Sequence, residues 1–251
     1  MTIKLLVNGV AGAGKTSLLA SLGEDTFVVS RDGKDFGLPL PHMLVTDYID
    51  MTTLIYGDEK AEIEGIIHKI QRYEENFKKL PTNIVIDSVS QLTMDVIDVA
   101  AQTPNVYGSQ GAEITKELAI LTKFIHEELE VNGMNVILMN HVTEEKVDGK
   151  STGVYLPFGQ GKFLAKGAFY ATTNEAITIV PEGSNNRSVH LRGTDKQART
   201  TCQELPDKMY LENIANPDKS KRLKDGEVYF SLQEHINHLV AKQGNVKKWS
   251  L

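Results

Sequence analysis

The stretch that decides the fold is GVAGAGKTS, residues 9–17, between the apolar run IKLLVNG at 3–9 and KTSLLASL at 15–22. It satisfies the pattern G-x-x-x-x-G-K-[ST] through Gly9, Gly14, Lys15 and Thr16. Glycines let backbone N–H groups curl around an anion without Cβ clashes. The helix expected to follow adds unpaired N–H groups and the positive end of its dipole. Lys15 would reach the β- and γ-phosphates, and the Thr16 hydroxyl a Mg²⁺ ion. Gly9, Gly12, Ala13, Gly14, Lys15, Thr16 and Ser17 are therefore the expected phosphate cradle, hung between a buried strand and a helix.

Working outward, the elements alternate. A strand is expected at 27–30. A helix follows on the spacing of Ile63, Ile66, Ile67, Ile70, Tyr73 and Phe77, stopped by Pro81. NIVIDSVS at 83–90 reads as a third strand, 91–101 as a helix, and 103–111 as a polar loop. A second long helix carries Ile114, Leu118, Leu121, Ile125 and Leu129 and ends at Asn132–Gly133. MNVILMNH at 134–141 is a fourth strand. Residues 141–161, polar and Gly-rich, read as one long loop of functional length. AITIV at 176–180 and SVHLRG at 188–193 look like two more strands joined by a turn. The last segment, SLQEHINHLV, is a short helix before the basic tail AKQGNVKKWSL. Such alternation implies an α/β fold, a mostly parallel twisted sheet with helices on both faces. One core domain over 1–232 is expected, with 233–251 as a loosely attached helix end and tail.

Bulk properties narrow the function. A hydrophobic fraction of 41% supplies a core, and no apolar run is long enough to cross a membrane. Because the chain enters the loop strand at once, no signal peptide is expected. The single cysteine, Cys202, excludes internal disulfides and suits a reducing cytoplasm. It also argues against a structural zinc site. With a net charge of −6, contact with nucleic acid would come from local loops and not from a basic surface.

The strand IVIDS supplies the carboxylate a phosphate loop needs. Asp87, at its end, would share the Mg²⁺ with Thr16. The long loop interleaves Lys146, Lys150 and Lys162 with Tyr155 and Phe158, and the shorter one holds Tyr107. Cations among aromatic rings suit single-stranded nucleic acid, with Lys on the backbone and bases stacked on rings.

With GVAGAGKTS, SRDG, IVIDS, VILMNHV, GKFLAKGAFYATTNEAITIV and DKQART in view, residues 3–206 resemble the RecA-like P-loop ATPase core. The likeness is to the minimal, bacteriophage single-strand annealing and recombination type. The resemblance implies that Asp32, with Asp35 as fallback, positions the attacking water. Many relatives have Glu-Gly where this chain has Asp32–Gly33. His141, or Asn140 beside it, would sense the γ-phosphate. Lys196 and Arg199 would cross to a neighbour's nucleotide in a ring or filament. The two loops would contact DNA.

The resulting expectation is an ATP- and Mg²⁺-dependent, DNA-stimulated ATPase that binds single-stranded DNA and promotes annealing or recombination. It would act as a homo-oligomer in the cytoplasm, that of the host if phage-encoded, with a single-strand-binding protein as a further partner. One alternative is a nucleotide-sensing interaction module with little hydrolysis. The other is a small-molecule P-loop kinase, against which stands the absence of Arg from residues 141–161.

Overall fold

Period-two alternation in the apolar strands gives the fold its two cores. In β1 (Lys4–Gly9), Leu5 and Val7 enter one buried cluster and Leu6 the other. The same split recurs in β4 (Asn83–Asp87), with Val85 against Ile84 and Ile86, and in β5 (Asn135–Val147), with Ile137 and Met139 against Val136 and Leu138. A strand buried on both sides needs an unbroken apolar run through its centre, as here at Leu5–Val7, Ile84–Ile86 and Val136–Met139. The computed structural model describes residues 2–31, 33, 37–102, 109–157, 169, 172–183, 185–213 and 217–244.

The remaining strands are β2 (Thr26–Ser30), β3 (His42–Leu44), β6 (Lys150–Pro157), β7 (Glu175–Glu182), β8 (Asn186–His190) and β9 (Lys208–Tyr210). They form a nine-stranded sheet of order β3-β2-β4-β5-β1-β7-β8-β9, with β6 paired to β5 off the main path. The first six strands of that order are parallel; β8 and β9 return antiparallel. Along the chain β2 separates β1 from β4, but in space the strand between them is β5. The α/β, P-loop NTPase-like architecture expected from the sequence is the one observed.

Helices cover both faces. On one lie α2 (Met51–Tyr56), α3 (Ile66–Phe77), α4 (Val89–Ala101) and α5 (Ser109–Phe124), the last continuing as a π-helical stretch, Ile125–Leu129. On the other lie α1 (Lys15–Leu18) and a 3-10 turn, Leu19–Ser21, with the last helix, α6 (Leu232–Gly244). The chain thus leaves β1 on one face and later elements cover the other. Such a switch point opens a crevice at the strand ends where ligands bind.

Several expectations need correction. The helix after the loop is short, since Leu22 is already extended. Ile63 precedes α3 and bridges to Asp58, because Gly65 caps the helix one residue before Ile66. The helix α2, capped by Asp50 accepting from Thr53 N at 2.7 Å, had no counterpart in the sequence reading. Nor is α6 loosely attached, because Leu232, Ile236 and Leu239 are buried with Leu18, Leu19 and Leu22.

The largest correction concerns residues 141–157. They are not loop but a ribbon, β5 running on past the sheet to Val147 and β6 returning antiparallel. Asp148 and Gly149 make the two-residue turn, at φ 51° and 74°. Positive φ at both central residues is what such a hairpin requires, and Asp-Gly is among the sequences that supply it. That dipeptide was the available signal; the polar, solvent-facing ribbon lacked the apolar alternation that would have called attention to it.

Candidate nucleotide-binding site

Register brings the chemistry together. Gly9 pairs with His141 on one side and Ile179 on the other, and Asp87 pairs with Met139. The carboxyl ends of β1 and β4 therefore lie within two residues of each other along β5, beside His141, and the phosphate loop folds over them. Its backbone turns at Gly14, φ 91°, in the left-handed region where a side chain is strained.

Lys15 is 5% exposed, and its Nζ donates to Gly9 O at 2.8 Å and Val10 O at 3.2 Å. The ammonium also lies 3.1 Å from His141 Nδ1. A protonated lysine can only donate, so Nδ1 accepts and the neutral ring carries its proton on Nε2. Thr16 Oγ1 donates to Asp87 Oδ2 at 2.9 Å, joining the two expected metal ligands. A hydroxyl and a buried carboxylate side by side form an oxygen donor set suited to Mg²⁺. These groups line a cavity of about 530 Å³ together with Ala11, Gly12, Ser17 and Arg187.

From His141 a chain of hydrogen bonds runs beneath the site. His141 N donates to Ser90 Oγ at 2.6 Å, and Ser90 Oγ to Asn140 Oδ1 at 2.8 Å. Asn140 Nδ2 donates to Asn8 Oδ1 at 2.8 Å, and Asn8 Nδ2 to Gln197 O at 3.1 Å. Ser90, Asn140 and Asn8 are all buried, so the network replaces the water they lost. It ends in the turn carrying Lys196, whose Nζ donates to Gly153 O on β6 and lies 5.1 Å over the Tyr155 ring.

Lys15, Thr16, Asp87 and His141 are thus gathered at one cavity with the loop. Lys196 and Arg199 are engaged within their own chain, Arg199 through its guanidinium to Thr173 O and its backbone to Ala176. Lys146 and Lys150 are exposed near the tip of the ribbon. Tyr155 is 3% exposed, with Lys196 over its ring, so it offers no open stacking face. Asp32, Asp35, Tyr107, Phe158 and Lys162 lie outside the described residues, as does the tail from 245 onward.

The sequence reading missed Asn8, Ser90 and Arg187. Asn8 was legible as a polar residue inside an apolar strand, which must find a partner when buried. Arg187 carried no local signal.

Among the described residues no helix is long and apolar enough to cross a membrane. Comparison with curated proteins gives no match. Residues 1–166, which contain the phosphate loop, Asp87, His141 and the ribbon, match the family model described as an AAA domain. Family and geometry agree on nucleotide binding and ATPase activity: the chain belongs to the AAA-domain family, as a P-loop AAA-type ATPase domain.

Proposed function

We propose that this protein is an ATP- and Mg²⁺-dependent ATPase that binds single-stranded DNA and promotes annealing or recombination. The observation that carries the DNA step is the physical link between the phosphate loop and the ribbon. His141, bonded to Lys15, sits on the strand that becomes the ribbon, and the buried network joins it to the turn that touches Gly153. A triphosphate would draw Lys15 Nζ away from Gly9 O and Val10 O and so change what His141 Nδ1 accepts. Both of the ribbon's connections to the site would feel that change.

Lys15 and the loop amides neutralise charge on the phosphates, acting where charge develops. Thr16 and Asp87 would hold Mg²⁺, which when bound offsets charge on the β- and γ-oxygens. Asp32 is the residue assigned to position water. Lys146 and Lys150 supply backbone contacts to the strand of DNA. Homo-oligomerisation, with Lys196 or Arg199 released to a neighbour, belongs to the same proposal. Their engagement within the chain favours a second reading, a nucleotide sensor with little turnover until it assembles.

The deciding experiment measures ATP hydrolysis with and without single-stranded DNA, beside Lys15→Ala and the double variant Lys146→Ala/Lys150→Ala. The expected result is stimulation by DNA that disappears in both. ATP-dependent DNA binding without turnover supports the sensor. Neither binding nor stimulation overturns the DNA reading.

A further inference from the structure

A second cavity opens beside the first. It measures about 550 Å³ and shares Gly14, Ser17 and Arg187 with the phosphate-loop cavity. Its far side comes from the segment after β9, including Leu211, Asn213, Val228, Tyr229 and Phe230. Aromatic and aliphatic surface with a few polar groups, at this volume, suits a nucleoside-sized ligand. The shared residues make the two cavities adjoin at the phosphate loop.

Arg187 stands at the junction. It projects from β8, outside the residues that match the family model. A Cβ built on Gly14 would lie 3.3 Å from both its Cδ and its Nε, so the guanidinium arm rests directly on the loop. Among the described residues its side chain makes no hydrogen bond or ion pair. The loop's N–H groups, Lys15 and Arg187 therefore bring positive charge together, an arrangement that becomes favourable when an anion lies between them. A planar guanidinium fork also matches phosphate oxygens bidentately.

We propose that Arg187 is a nucleotide-binding residue acting in cis. It grips the phosphate chain of a nucleoside triphosphate whose base and ribose occupy the second cavity. The resemblance implied an additional cation, Lys196 or Arg199, from a neighbouring subunit; Arg187 would be one supplied by the chain itself. This rests on the phosphate-loop reading, with Lys15 as its anchor.

The test is ATP affinity, by calorimetry or a fluorescent ATP analogue, for the full chain and four variants. Arg187→Ala is expected to bind ATP about 10-fold more weakly, and Arg187→Lys to fall between it and the parent. The melting temperature without nucleotide should move little, because the side chain has no hydrogen-bond or ion-pair partner among the described residues. Val228→Trp, which puts bulk into the second cavity, should weaken ATP binding by a similar factor. Mixing Arg187→Ala with Lys15→Ala should restore nothing, since both groups must come from one chain. Parent-like affinity in Arg187→Ala, or recovery on mixing, overturns the cis assignment. Parent-like affinity in Val228→Trp overturns the placement of the base. Failure of the parent to bind ATP, or parent-like binding by Lys15→Ala, would instead remove the phosphate-loop reading on which the inference stands.

Discussion

The two walls of the nucleotide cleft are made by different means. One is continuous chain, the loop from Gly9 to Ser17, with Asp87 brought to it by parallel register. It works largely through backbone amides, whose direction is set by local glycine geometry. The other wall is assembled from β8, the segment around 211–213 and residues 228–234 at the start of α6. It works through side chains that meet only because the sheet turns antiparallel after β7. The first wall is expected to tolerate almost no change in chemistry. The second should set affinity and orientation and answer to the stability of the elements behind it.

The largest effect belongs to the first wall. Lys15→Ala should reduce ATP turnover by about a thousandfold or more, because it removes a preorganised cation from the phosphates. Phosphate release at saturating ATP measures it. Asp87→Asn should lower Mg²⁺-dependent turnover by about a hundredfold while leaving the loop amides in place. A Mg²⁺ titration that shifts to higher concentration in this variant would place the loss at the metal. Equal Mg²⁺ dependence would break the pairing of Asp87 with Thr16.

The second wall should be the first to yield to acid. His235 on α6 is 4% exposed, its Nε2 has no partner among the described residues, and burial pushes its imidazole down to about 4. In the unfolded chain its value returns to near 6.5. Between those limits the unfolded state binds the proton that the folded state excludes. This contribution is complete above about pH 6.5 and is lost as pH falls toward 4. It amounts to at most about 3 kcal/mol. Denaturant melts from pH 7 to 4.5 should show stability falling with acid, and His235→Leu should flatten that slope. An unchanged slope would remove His235 as the cause.

The buried network between the walls and the ribbon should register next. Asn140→Ala leaves Asn8 Oδ1 and the Ser90 hydroxyl each short of a partner, at a cost of about 1–3 kcal/mol in a denaturant melt. If the network transmits nucleotide state, this variant should also lose DNA stimulation. Retained stimulation would confine it to a structural role.

The smallest effect tests contact between the walls. Gly14→Ala strains a left-handed backbone by about 1–2 kcal/mol and also pushes on Arg187. In the double variant with Arg187→Ala the steric part should vanish and the backbone part remain. A coupling of about 0.5–1 kcal/mol in a double-mutant cycle on stability is expected. Strict additivity would mean the arm does not press on the loop.

How far the sequence could be read follows the same division. The strands that line the parallel sheet were legible because burial on both faces demands a continuous apolar run through their centres. The phosphate loop was legible because its function lies in backbone shape, and only a few residue types allow that shape. The ribbon was not, since its period-two pattern has polar residues on a face turned to water. Tyr155, read as a base-stacking residue, is instead covered by Lys196, a contact between residues far apart in the chain. The assignment of Lys196 and Arg199 to a neighbour came from the family resemblance, which says nothing about what each side chain finds within its own fold.

The sequence by itself determined the α/β class, the alternation that builds a mostly parallel sheet, the phosphate cradle and the carboxylate at the end of β4. All of these are local, being patterns of periodicity or of backbone freedom within a short window. Only the tertiary structure decided that β5 lies between β4 and β1, that His141 meets Lys15, that Asn8, Asn140 and Ser90 share one network, and that Arg187 rests on Gly14. Each of those joins residues remote in sequence through side-chain hydrogen bonds, packing or sheet order. Their geometry is set by how the whole sheet closes and by no local run of residues.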